Sequence, residues 1–501
     1  MEKITNVRSN RLGKNTIASL LHQMMIVICG FILPRFILRS YGSEVNGLVN
    51  SISEFLKVIA LLELGIGAVV KSALYKPLAE KDDNKISEII VSAEKFFKKI
   101  ALILAAYIML LVLFYPSLVS QSFDFVYTAI LILAMGLSSF MQYYFGMANR
   151  LLLIADQRGY IQDNIQTVTL ILNTVFSVVL IYAGASIQTV KLVTSLVYIC
   201  RPFLFQLYVK KFYHINRRIK YTHEPIEQKW DGIAQHLASF TISGTDAVVL
   251  SVLGTLSDVS IYSVYSLITR GIAQLLSSVT SGISSLMGEV WAKKETDTLN
   301  RYFKWIEWGT HTIAVFVWGC AGVLIVPFVQ VYTCGVEDAN YVVPIFAFFI
   351  TIASFMETLH VPYNMMVLVA GHYKQTKKYY IIVAAINVVI SVLTVKQFGI
   401  VGVAIGTFVA MSYHTIWAVV YNSKNLVKGA FGSFLKQSLI DIVSLSLIAF
   451  FTRNISMGEL SYVAWFVMAI KVAVVVVIIE VVINMIFYRD KLMQLANKLG
   501  F

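Results

Sequence analysis

Long apolar runs alternate with short polar connections along the whole chain. Each run is close to or above the roughly 20 residues that a helix needs to cross the hydrocarbon core of a bilayer. The pattern therefore predicts an all-α polytopic membrane protein with fourteen transmembrane helices. We place these spans at 15–39, 45–71, 99–121, 124–149, 161–183, 187–210, 232–254, 258–288, 305–332, 341–369, 378–396, 399–421, 435–452 and 462–487.

Basic residues are distributed unevenly over the connections. Every second connection is rich in lysine and arginine, whereas the opposite ones hold few, Lys396 and Arg453 among them. Because basic loops stay on the cytoplasmic side, we expect a multi-pass protein of the cytoplasmic (inner) membrane with both termini in the cytoplasm. The composition agrees, since 57% of the 501 residues are hydrophobic and 14% are charged. The net charge of +13 thus reflects orientation in the membrane rather than nucleic-acid binding.

One connection has a pattern of its own. Residues 86–99 are amphipathic and basic, which is typical of a helix on the inner membrane surface. A helical extension of the next span would give the same pattern.

The chain also contains a weak internal repeat at a nearly constant offset. A common offset over six spans predicts two parallel repeats of six helices, followed by two appended helices. We therefore expect an N-terminal lobe at 1–212, a C-terminal lobe at 231–424 and helices 13 and 14 at 433–490. The matching positions are Ser43 with Ser257, Lys81 with Lys294, 155–158 with 370–373 and Gly184 with Gly399.

Lys57 is the most informative charged residue inside a predicted span. A charge near the bilayer centre costs roughly 2.5 to 3.5 kcal/mol, so it is kept where it faces a partner or a water-filled cavity. The repeat gives Arg270 the equivalent position, since each residue lies 12 positions from the outer end of its span. We predict that these two cations face each other across a central cleft and hold an anion. The alternative is two unrelated side chains that snorkel or form salt bridges, for example Lys57 with Glu54.

Other charged residues within the spans allow two interpretations each. Arg35 and Arg39 follow Pro34 on one face of the first helix, and they either snorkel to the outer interface or add to the cationic lining. The acidic candidates for ion coupling could instead form salt bridges. We favour salt bridges for Asp246 in span seven and for Glu357 with His360 in span ten. Lys471 and Glu480 in the last span could line a groove for a lipid tail. The acidic and histidine candidates are Glu54, Glu63, Asp246, Glu357 and His360.

The sequence contains no recognisable catalytic or cofactor motif. The four cysteines and eight histidines have no metal-ligand spacing, and no phosphate-binding glycine loop occurs. We therefore expect a protein that is not an enzyme and that needs no cofactor.

Three segments resemble the MOP superfamily of exporters, and within it the Wzx-type polysaccharide flippases. They are KNTIASLLHQMMIVICGFILPRFILRSYGSEVNGLVNS (14–51), ELGIGAVVKSALYKPLAEKD (63–82) and FGIVGVAIGTFVA (398–410).

The resemblance implies two six-helix bundles in a V shape that work by alternating access. It implies a cargo of undecaprenyl-pyrophosphate-linked oligosaccharide for surface polysaccharide synthesis, and a central cationic cavity lined by Arg35, Arg39, Lys57 and Arg270. Lys57 stands where related lipid flippases have an arginine. A lysine binds phosphate as a point charge, whereas the guanidinium group of arginine can donate two hydrogen bonds to one phosphate. The partners implied are membrane lipids and the polysaccharide polymerase machinery.

Two other classes of function compete with this one. A MATE-like antiporter that exports cationic molecules against protons or sodium predicts an acidic cleft, dominated by Glu54, Glu63 or Asp246. A membrane enzyme such as a polymerase or acyltransferase would need a large external loop or a catalytic His/Asp set, and neither is visible in the sequence.

Overall fold

The computed structural model describes residues 2–57, 60–119, 122–219, 221, 224–226 and 244–499. Over these ranges the chain is almost entirely helical, and no β-strand occurs in them. The chain divides into two compact units, Met1–Phe240 (unit 1) and Thr241–Phe501 (unit 2). The finer division of the sequence into two six-helix lobes and an appended pair stays a prediction.

Seven helices make up the described part of unit 1. The first is interrupted at Gly42, where φ is 84° and ψ is 177°. This left-handed φ is open to glycine at little cost, and the break falls between the predicted spans 15–39 and 45–71. The fourth and fifth helices are joined by a π-helical turn at Gln142–Gly146. The seven are α1 (Glu2–Lys57), α2 (Ala60–Glu80), α3 (Asp83–Leu118), α4 (Phe125–Met141), α5 (Met147–Ala155), α6 (Gly159–Tyr182) and α7 (Ile187–Phe212).

Nine helices make up the described part of unit 2. The second of them begins with a capping box, in which Thr255 and Asp258 each satisfy a backbone N–H of the other. The nine are α8 (Gly244–Leu253), α9 (Leu256–Ala292), α10 (Thr296–Tyr332), α11 (Pro344–Val369), α12 (Tyr373–Phe398), α13 (Ile400–Asn425), α14 (Ala430–Thr452), α15 (Tyr462–Phe487) and α16 (Arg489–Leu499).

Eleven helices in the described part of the chain are long and apolar enough to cross a membrane. The three further spans of the prediction are 45–71, 232–254 and 258–288. The span 45–71 is divided between α1 and α2, and the span 258–288 coincides with α9. The span 232–254 lies partly outside the described residues. The structure thus supports a polytopic helical membrane protein, and the count of fourteen stays a prediction.

Three turns recur in both units at the offset of the predicted repeat. Non-glycine residues have a left-handed φ at Lys81 (57°) and Lys294 (58°), each at the end of a long helix. Gln157 and Gly371 share this conformation (58° and 70°). Gly184 and Gly399 form the third pair (75° and 54°).

The amphipathic segment 86–99 is the first part of α3 and continues directly into the next span. The connection after α7 lies against this segment, because Asn216 N–H donates to Ser87 Oγ (3.0 Å) and Arg217 Nη2 lies 3.2 Å from Glu94 Oε1. Of the two interpretations, the helical extension is the one that the structure shows.

The core of unit 2 forms around α10, which packs against α11, α14 and α15. Phe303 and Trp318 of α10 are buried there with Tyr363 of α11 and Val472 of α15. The last two long helices are therefore integral to the unit. Polar side chains on these same helices are buried in its interior.

Candidate functional site

The cations of unit 1 lie on both sides of the break in α1. Arg35 is half-buried and Arg39 is exposed, one helical turn apart on the same helix. The helix is interrupted at Gly42, beyond both arginines, and Pro34 lies within the helix. Lys57 is the last residue of α1.

Lys57 forms a salt bridge with Glu54, one turn earlier on α1. Lys57 Nζ lies 2.8 Å from Glu54 Oε1, and the two side chains are 51% and 10% exposed. The carboxylate is thus held on the packed side of the helix while the ammonium group reaches outward. The salt bridge that the sequence allowed as an alternative is present, and an additional role for Lys57 in a cavity stays a prediction. Glu63 lies on α2, and its side chain is outside the described residues.

Arg270 of unit 2 lies on an exposed position of α9. Its guanidinium group is close enough to interact electrostatically with two carboxylates, those of Asp246 on α8 and Glu357 on α11. Both acidic candidates of this unit therefore lie within the field of one cation, and their assignment to salt bridges or to ion coupling stays a prediction.

Asp246 is held by a network of side chains from three other helices. Its Oδ2 accepts hydrogen bonds from Thr407 Oγ1 (2.6 Å) and from Tyr262 OH (3.3 Å), while Asn387 Nδ2 donates to Thr407 Oγ1 (3.2 Å). Asp246 is 5% exposed. Asp246 Oδ1 and Asn387 Oδ1 have no hydrogen-bond partner among the described residues. Two buried oxygen atoms with unused lone pairs can accept a proton or ligate a small hard cation.

Close packing of α12 on α13 brings Asn387 and Thr407 together. A Cβ on Gly402 would lie 2.6 Å from the carbonyl carbon of Thr394, and a Cβ on Gly406 would overlap Ser391. Only the absence of side chains at both glycines allows this approach. The glycine-rich segment 398–410 was evident in the sequence, whereas the polar partners of Asp246 were missed because nothing local connects residues 246, 387 and 407.

A cavity of about 670 Å³ lies between α9, α10 and α11. Its lining is mainly apolar and includes Trp305, Ile306 and Met365, and the carboxylate of Glu357 is its acidic group. An apolar pocket with few polar groups is the usual form of a small-molecule site. No sequence pattern predicted this cavity, since its walls come from three separate helices.

The two charged residues of the last span have different environments. Lys471 is exposed, whereas Glu480 is 7% exposed and lies against α10 and α14. The interpretation of Glu480 as part of a lipid-tail groove is therefore wrong, because its side chain points into the interior of unit 2. Within the described residues, no three His, Cys, Asp or Glu side chains are placed to hold one metal ion.

The arrangement of long helices in this chain is similar to that of a lipid flippase and of multidrug transporters, with which the chain shares its fold. The lipid II flippase MurJ in an inward closed conformation matches with a TM-score of 0.69 and 15% identity, over 95% of this chain and 99% of that one. An inward-facing multidrug resistance MATE family transporter matches with a TM-score of 0.63 and 14% identity, over 84% and 98%. A MATE transporter from Vibrio cholerae gives 0.53 and 14%, over 85% and 99%. No protein-family model matches the sequence, and no characterised protein matches it by sequence.

Proposed function

We propose that the protein is a flippase that moves undecaprenyl-pyrophosphate-linked oligosaccharide units across the cytoplasmic membrane by alternating access. The observation that carries this proposal is the shared fold with a lipid II flippase over 95% of the chain. The charged headgroup of such a cargo cannot cross hydrocarbon unaided, because burying unpaired polar and charged groups is prohibitively costly. A protein of this fold with basic residues inside its spans offers the headgroup a polar path.

Lys57, Arg270, Arg35 and Arg39 are the proposed contacts of the diphosphate. In this proposal, Glu54 is the partner of the Lys57 ammonium group when no cargo is bound. An incoming diphosphate would compete with Glu54 for that group, and likewise with Asp246 and Glu357 for Arg270. Because Lys57 is already paired with Glu54, this position avoids an uncompensated positive charge when no cargo is bound.

Transport in the outward direction would be assisted by the membrane potential. Moving about two negative charges across roughly 100 mV, negative inside, releases about 4 to 5 kcal/mol. In this proposal both termini are cytoplasmic, the cargo is delivered to polymerase machinery on the outer side, and the lipid tail stays in the bilayer. The protein then needs no bound nucleotide to drive flipping.

The test is transfer of labelled lipid-linked oligosaccharide between leaflets of vesicles that contain the purified protein. We expect Lys57→Ala and Arg270→Ala each to reduce the rate at least tenfold. Lys396→Ala and Arg453→Ala are matched controls, since they remove one exposed cation each outside the proposed site. Wild-type transfer rates in both Lys57→Ala and Arg270→Ala at equal protein levels would refute the assignment.

A MATE-like cation-coupled antiporter is a second candidate with its own support. The cavity of about 670 Å³ pairs an apolar lining with Glu357, which suits an amphipathic organic cation. The network around Asp246 offers an exchangeable proton or sodium site for coupling. In vesicles with an imposed proton or sodium gradient, this candidate predicts efflux of a fluorescent cationic dye that Asp246→Asn and Glu357→Gln abolish. Dye efflux without lipid transfer would favour the antiporter over the flippase.

A further inference from the structure

We propose that unit 2 contains a proton-binding site formed by Glu480, Asp441 and His311, separate from the residues assigned to cargo. The three side chains come from α15, α14 and α10, and they are 7%, 5% and 3% exposed. The ligand is a proton held by a carboxyl group in the packed interior. The proposal does not depend on which cargo the protein carries.

Two contacts define the geometry of the site. His311 Nδ1 lies 2.5 Å from Asp441 Oδ2, so the imidazole and this carboxylate form a directly bonded pair. On the other side, Glu480 Oε2 accepts from Asn484 Nδ2 (3.3 Å), and Ser444 hydrogen-bonds the same carboxyl group. Asp441 and Glu480 are near enough to interact electrostatically. Asp441 thus has an imidazole partner, whereas Glu480 has none among the described residues.

The site contains polar atoms that the surrounding protein leaves unsatisfied. Glu480 Oε1 and His311 Nε2 are both buried without a hydrogen-bond partner among the described residues. An ionised carboxylate with an unused oxygen in an apolar interior carries a large desolvation penalty. A protonated carboxyl group avoids most of this penalty, because the neutral form is far less costly to bury.

The charges that face the site from neighbouring helices are already matched. Glu307 accepts hydrogen bonds from Tyr363 OH and from Ser433 Oγ, and it interacts electrostatically with Lys491. His311 Nδ1 is bonded to Asp441 Oδ2, whereas Glu480 forms no salt bridge with any described residue. Other titratable and charged groups lie on the helices around this site, and Lys304 lies beside Lys491. They are Glu307 and His311 on α10, Tyr363 on α11, Lys436 and Asp441 on α14, and Tyr488 and Lys491 after α15.

A proton fits this site better than a metal ion does. The described part of the chain has no three acidic, histidine or cysteine side chains arranged to ligate one metal. Two neighbouring carboxyl groups, one of them bonded to an imidazole, are instead an arrangement in which like charges disfavour full ionisation. The group that takes up the proton in this scheme is Glu480.

Infrared spectroscopy of the purified protein tests the proposal directly. Near neutral pH the difference spectrum of wild type minus Glu480→Gln should show a protonated carboxyl C=O band that shifts on exchange into D₂O, because bands of other buried carboxyl groups such as Asp246 cancel. Glu459→Gln is the matched control, since Glu459 is an exposed residue of the turn before α15, and it should keep the band. The amide of Glu480→Gln mimics a neutral carboxyl group, so the variant should fold.

A second variant tests the same band without removing the carboxyl group. Ser444→Ala deletes a hydrogen bond to Glu480, so the C=O stretch should move to higher frequency while its intensity stays constant. A merely structural role for Glu480 would produce no such shift. An identical band in wild type, Glu480→Gln and Ser444→Ala would overturn the proposal, as would the absence of any protonated carboxyl band from the wild type.

Discussion

Lys81 and Lys294 adopt the same left-handed backbone conformation, with φ of 57° and 58°, although they lie in different units of the chain. Each ends a long helix, α2 in unit 1 and α9 in unit 2. A left-handed φ costs an L-residue roughly 1 to 2 kcal/mol. The chain therefore tolerates the same strain at two positions that the predicted repeat pairs with each other.

Replacing these residues by glycine should relieve the strain. Lys294→Gly should be more stable than Lys294→Ala by about 1 kcal/mol, because alanine keeps the Cβ that makes a left-handed φ costly. Thermal unfolding of the two variants in detergent gives the comparison, and each removes one lysine. Equal stability of the two variants would contradict the assigned conformation.

The salt bridge between Lys57 and Glu54 separates the two candidate functions. Glu54→Gln leaves the ammonium group unpaired, so a site for an anion should bind a lipid diphosphate as well as the wild type or more tightly. A site that couples transport through Glu54 should instead lose activity in this variant. Binding of a labelled polyprenyl diphosphate to wild type, Glu54→Gln and Lys57→Gln gives the readout, and the last variant should bind at least tenfold more weakly.

The close packing of α12 on α13 depends on Gly402 and Gly406, so a larger residue at either position should lower stability. Gly402→Ala should destabilise unit 2 by about 1 to 3 kcal/mol, because the new methyl group would overlap the backbone of Thr394. Gly432→Ala is the control, since a Cβ there meets no atom within 4 Å. The control should be neutral or slightly stabilising on a helix. Thermal unfolding with equal midpoints for the two variants would rule out the close approach.

Lys491 on α16 should make stability depend on pH in the alkaline range. Burial lowers the pKa of its ammonium group to about 8, against an ordinary value of 10.5. Between these values the unfolded chain binds more protons than the folded one, so the contribution of Lys491 to stability rises with pH through this window. Below pH 8 both states are protonated, and the penalty of burying the charge is constant.

Unfolding midpoints measured from pH 7 to pH 10.5 test this sign. Lys491→Met should remove part of the rise above pH 8, whereas Lys428→Met, at an exposed position between α13 and α14, should leave the profile unchanged. A steeper rise in Lys491→Met than in the wild type would contradict the prediction.

Much of the architecture follows from the apolar pattern, because each helix must match the thickness of a bilayer. The break at Gly42 lies between two predicted spans, and the turns at Gly184 and Gly399 fall at the predicted offset. These features depend on local sequence, where glycine and the ends of apolar runs mark helix termini.

The side-chain networks could not be predicted in the same way. His311 and Asp441 are 130 positions apart, and Asp246 and Thr407 are 161 apart. Which of several polar residues on a long helix meet depends on the rotation and depth of both helices. For Lys57 the sequence offered both an anion and Glu54 as partners, and only coordinates identify the pair.

The buried contacts of α10 make the final two long helices indispensable. A chain that ended after α13 would lack the partners of three buried α10 side chains: Ser433 for Glu307, Asp441 for His311 and Asn484 for Trp308. Leaving such polar groups without partners is costly, so removal of α14 and α15 should destabilise unit 2 rather than leave a smaller folded bundle.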